Sequence, residues 1–90
     1  MQITAEISLY PLQENFEQVI IAFIGELKRS EGIEIHTHSM STFVKGENAL
    51  VFDAISKALE TTGLNSDTVS LVIKIINRNL PVEQGFLNLD

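Results

Sequence analysis

The chain has 90 residues, 12 acidic against six basic side chains for a formal net charge of -6, 44% apolar residues and no cysteine. That size suits one domain with a small core, and the lack of cysteine excludes a disulfide scaffold, a thiolate zinc site and a cysteine nucleophile. The acidic balance, with Lys28, Arg29, Lys45, Lys57, Lys74 and Arg78 scattered, argues against nucleic acid, whose phosphates require clustered cations, and mildly favours a cationic small ligand.

From Gln2 to Leu9 apolar and polar residues alternate, Ile3, Ala5, Ile7 and Leu9 opposite Gln2, Thr4, Glu6 and Ser8. This predicts a strand with one face for the core. Tyr10 continues the polar face, and Pro11, with no N–H to donate, ends the ladder. Residues Asn15 to Ser30 read as a helix, with Phe16, Val19, Ile20, Phe23, Ile24 and Leu27 at three- and four-residue spacing. Asn15 is the expected N-cap, and Gly32 lies past the end, near Lys28 and Arg29. Ile33 to His38 alternates again, a turn follows at Ser39 and Met40, and Ser41 to Lys45 forms a short third strand closed by Gly46. Glu47 to Thr62 is a second helix with Leu50, Val51, Ala54, Ile55, Ala58 and Leu59 inward and Gly63 at its end. Asp67 to Ile76 is the last strand, where Val72 and Ile76 suggest that its second face is covered as well.

The order βαββαβ, with right-handed crossovers and two amphipathic helices to bury, predicts an α+β ferredoxin-like sandwich: a four-stranded antiparallel sheet with both helices on one face. The other face carries Thr4, Glu6, Ser8, Tyr10, His36, His38, Ser70 and Val72. It is too polar for a core and too apolar for bare surface, so pairing with another copy is expected there. Residues 1–78 form the domain in this reading. Residues 79–90, punctuated by Pro81 and Gly85 and carrying Phe86, Leu87 and Leu89, form a tail docked on the domain or on a neighbouring subunit. No signal-peptide pattern opens the sequence, and the longest apolar run, Val19 to Ile24, is too short to span a bilayer. A cytoplasmic protein without a membrane partner is therefore expected.

Chemistry concentrates between Ser39 and Ala54, where hydroxyls, a glycine and a carboxylate surround a strand-to-helix join. Polar groups beside a helix start can fix a small ligand, although any α/β fold needs such a join. Asp53 lies at the edge of the helical apolar stripe. On its own it reads as a surface acid favoured by the helix dipole, with a pocket-rim carboxylate as the alternative. Phe43 and Phe52 can stack on a flat ring or fill the core. His36 and His38 share a strand face with Glu34, an arrangement more typical of polar packing than of a metal site, so neither metal nor cofactor is expected. No nucleophile elbow or phosphate loop is present, and no catalytic residue is assigned.

Two segments together resemble a known family. Ala5-Glu6-Ile7-Ser8-Leu9-Tyr10-Pro11-Leu12 is similar to the opening strand of the thiamine-binding, YkoF-like family. Ser41-Thr42-Phe43-Val44-Lys45-Gly46 followed by Val51-Phe52-Asp53-Ala54 is similar to its strand-turn-helix segment. The resemblance implies the ferredoxin-like fold and a non-catalytic binding protein for thiamine or its hydroxymethylpyrimidine half, serving uptake, salvage or sequestration. It also implies a homodimer or homotetramer paired through the open sheet face. By position it makes Ser8, Tyr10, Ser41, Thr42, Gly46 and Asp53 the ligand-binding candidates, with Phe43 available to stack. It raises Asp53 from surface acid to candidate. The alternative function is an oligomerisation or regulatory module without a small ligand.

Overall fold

The strictly alternating first segment becomes the long central strand β1 (Gln2–Pro11), and the computed structural model describes residues 1–82. The other elements are α1 (Phe16–Leu27), β2 (Ile33–Thr37), β3 (Thr42–Glu47), α2 (Asn48–Leu64) and β4 (Val69–Ile76). They form one antiparallel sheet of order β2-β3-β1-β4. The expected ferredoxin-like architecture is present. Ile3, Ala5, Ile7 and Leu9 of β1 and Val44 of β3 meet Val19, Phe23 and Leu27 of α1 and Val51, Ala54, Ile55 and Ala58 of α2 in the core. Among the described residues no helix is long and apolar enough to cross a membrane.

Several local expectations give way to packing. Helix α1 stops at Leu27, three residues short of the predicted end, and Asn15 caps it without a side-chain hydrogen bond. The Asn15 carbonyl instead accepts from the amides of Gln18 and Val19. Gly46 does not close β3 but lies inside it, opposite Ile3 and Ile33. At its φ of 153° a side chain is disfavoured, and a Cβ would sit 3.1 Å from the Gly32 carbonyl. The glycine lets two backbones approach. Gly63 likewise falls inside α2 and does not end it. Leu50, expected inward, is exposed in the first turn of α2, where it lines the depression beside Glu26 and Arg29 while the neighbouring Val51 is buried.

The β4 edge of the sheet also departs from expectation. Val72 and Ile76 of β4 are 54% and 40% exposed, so the described residues do not cover their face. Even Ile73 and Ile75, on the helix side, remain 39% and 40% exposed, because the helices pack over β1 and β3. At one end the chain covers its own open face. The Thr4 hydroxyl donates to the Arg78 carbonyl (2.8 Å) and accepts from the Leu80 amide (3.0 Å), which leaves Thr4 only 3% exposed. The predicted tail residues Phe86, Leu87 and Leu89 lie outside the described residues.

Candidate functional site

The register of β1 creates a cleft. Its pairing with β3 ends at Ile7 opposite Thr42, whereas its pairing with β4 continues to Pro11 opposite Val69. Among the described residues, one side of β1 from Ser8 to Pro11 therefore has no neighbouring strand, and backbone groups facing that side are open to a ligand. The chain between β2 and β3 turns away here, closed by the His38 amide donating to the Ser41 carbonyl at 2.9 Å. The result is a notch in the sheet, roofed by α1.

This notch is a cleft of about 440 Å³, within the roughly 300–1,000 Å³ range of small-molecule sites. Its polar rim is Ser8, Tyr10, Ser41 and Thr42, with His38 and Ser39 beside them. Its apolar wall is Leu9, Phe16, Ile20 and Ile24. The wall follows from the composition of α1. Val19, Phe23 and Leu27 fill the core, and Phe16, Ile20 and Ile24, four residues apart, form a second stripe alongside. Tyr10 is 55% exposed, and Thr42, 7% exposed, places its hydroxyl 3.5 Å from that of Thr37.

Ser41 ties the cleft to the open sheet face. Its hydroxyl donates to Glu6 Oε2 at 3.0 Å, while Lys74 Nζ lies 3.2 Å from Glu6 Oε1. The hydrogen bond from Lys74, then that from Ser41, hold the Glu6 carboxyl below its ordinary value of 4.5, against a smaller opposing effect of burial. Phe43 lies beside Glu6 on the open face and meets the His38 ring edge-on, with centroids 5.2 Å apart. With Thr4, Lys74, Ile76 and Leu80 it lines a second, smaller depression.

Four of the seven predicted ligand residues, Ser8, Tyr10, Ser41 and Thr42, thus line one cleft. Phe43 stands behind it, against His38. Gly46 is at the far end of β3, where its role is the close approach to Gly32. Asp53 lies on the outer side of α2 in a charged depression with Glu26, Arg29 and Lys57, its carboxylate 2.9 Å from Lys57 Nζ. His36 pairs with Glu34 at 3.2 Å, and among the described residues no cluster of three or more His, Cys, Asp or Glu groups could hold a metal ion. Glu6 and His38 are the residues that motif reasoning left out. The signal for Glu6 is its position two residues before Ser8 on the same strand face. His38 has only its place in the β2–β3 turn.

The structure is similar to several solved proteins. A Streptococcus pneumoniae protein superimposes with a TM-score of 0.80 at 23% identity, over 89% of this chain and 90% of that one. A Thermotoga maritima protein, described as a candidate thiamine biosynthesis/salvage protein, gives 0.75 at 21% identity, over 87% and 85%. A hypothetical Methanocaldococcus protein gives 0.76 at 24% identity, over 87% and 81%. At these identities the likeness establishes the fold alone. No curated protein matches the sequence. The sequence profile of thiamine-binding proteins, however, matches residues 5–82, from the middle of β1 past the end of β4. The chain belongs to the thiamine-binding protein family.

Proposed function

We propose that this protein binds thiamine or its hydroxymethylpyrimidine half without catalysing its conversion, in uptake, salvage or sequestration of the vitamin. The observation that carries the reading is the notch beside β1, whose lining brings four hydroxyl-bearing residues together with an apolar wall. An aminopyrimidine is flat and offers both donors and acceptors. The wall of Phe16, Ile20 and Ile24 suits its faces, and Ser8, Tyr10, Ser41 and Thr42 suit its edge. The cationic thiazolium would point outward, toward an acidic protein. Asp53 and Gly46 stand outside this site. The description of the Thermotoga maritima neighbour points to the same chemistry.

The same reading includes a homodimer or homotetramer. The uncovered apolar residues of β4, Val72, Ile73, Ile75 and Ile76, support contact between copies at that strand and the adjoining sheet face. Calorimetric titration with thiamine and with hydroxymethylpyrimidine, on protein whose mass is measured by light scattering, tests both points. Saturable binding of both ligands to a species heavier than the 10.0-kDa chain is expected. An oligomer that binds neither would favour the oligomerisation module, and a monomer would remove the self-association.

A further inference from the structure

A serine hydroxyl has one proton to give and two lone pairs to offer. The proton of Ser41 is directed at Glu6 Oε2, 3.0 Å away, on the open face of the sheet. Glu6 has no proton to return, because Lys74 holds its other oxygen at 3.2 Å and its carboxyl stays ionised well into the acid range. The direction of the Ser41–Glu6 bond is therefore set, and toward the cleft Ser41 offers lone pairs alone. We propose that Glu6 is a positioning residue that fixes Ser41 as a hydrogen-bond acceptor in the cleft, so that the site selects ligands presenting an N–H donor there and rejects those presenting a carbonyl.

This specificity rests on the thiamine reading, since it assigns Ser41 to the exocyclic amino group of the pyrimidine. The analogue in which that amino group is replaced by an oxo group has nearly the same shape but opposes a carbonyl oxygen to the Ser41 lone pairs. An unpaired polar group in a shielded site weakens binding by roughly ten- to a hundredfold. Replacing Glu6 by Gln removes the constraint with little change in volume. The single amide oxygen of Gln stays with Lys74, which can only donate, and its NH2 group can donate to Ser41, freeing the serine proton for the ligand.

The test is to titrate thiamine and the 4-oxo analogue into the wild-type protein, Glu6→Gln, Ser41→Ala and the double variant. In the wild type the amino ligand is expected to bind at least about tenfold more tightly. Glu6→Gln should abolish or reverse that preference. Ser41→Ala, which leaves the Glu6–Lys74 pair in place, should also abolish it, and adding Glu6→Gln to Ser41→Ala should change nothing further. An unchanged preference in Glu6→Gln or Ser41→Ala, with thiamine still bound, would overturn the assignment while sparing the binding function. Absence of thiamine binding to the wild type would end both.

Discussion

Two of the depressions that contain predicted ligand residues, the notch beside β1 and the charged one with Asp53, differ in what is left for a ligand to engage. Between the outer faces of α1 and α2, charge meets charge within the protein: Lys57 holds Asp53 at 2.9 Å and Arg29 lies 3.5 Å from Glu26. A ligand entering there would have to replace exposed ion pairs and hydration with little apolar area gained. In the notch beside β1 the balance is reversed. Phe16, Ile20 and Ile24 give apolar area, and the rim hydroxyls lie next to a length of β1 edge that has no strand partner among the described residues. It is this contrast, an interrupted ladder beside an apolar wall against charges already paired, on which the proposed site rests.

The largest effect is expected from filling the notch. Ser8→Trp places an indole where the ring of the ligand would lie, and overpacking of about 1–3 kcal/mol corresponds to roughly a ten- to hundredfold loss of thiamine affinity. Ser8 is half-buried at the open end of β1, so circular dichroism and the melting temperature should remain near the wild type. Undiminished affinity would place the ligand elsewhere.

A smaller effect distinguishes the carboxylate that serves the notch. The folded-state pKa of Glu6 is depressed below 4.5, so its contribution to stability is fully present above that value and fades as pH falls through the folded value. Urea unfolding should therefore show Glu6→Gln less stable than wild type near pH 7, with the gap narrowing toward about pH 3. An equal gap at both pH values would mean that the Glu6 interactions do not depend on its charge.

Much of this was legible beforehand. Period-two alternation marked β1, three- and four-residue spacing marked both helices, and their order specified the sandwich. The hydroxyls of Ser8, Tyr10, Ser41 and Thr42 were visible as two motifs. Their convergence was not, because it depends on β1 continuing to Pro11 after its pairing with β3 ends at Thr42. Register and unequal strand length are tertiary quantities. The same holds for Ile20 and Ile24, which read as core and also wall the cleft, Ile20 while packed against the core, and for β4, whose apolar second face suggested cover that the described residues do not provide. Asp53 drew attention through its position in a motif, while its distance from the notch follows from which side of α2 it occupies.

The smallest effect is expected there. Asp53→Asn removes an exposed ion pair between positions 53 and 57 of one helix, worth about 0.3–0.5 kcal/mol, so thiamine affinity should change by less than about twofold. A tenfold loss would show that Asp53 reaches the ligand from a second copy of the chain.

The central claim, that the interrupted β1–β3 ladder is the ligand site, is tested most directly by mapping backbone amide chemical shifts in the isotope-labelled protein during a thiamine titration. The account predicts saturable shifts concentrated in residues 8–12 and 38–42, with Glu26, Arg29, Asp53 and Lys57 nearly still. Saturable shifts centred on the charged depression between α1 and α2, with the notch unchanged, would contradict it.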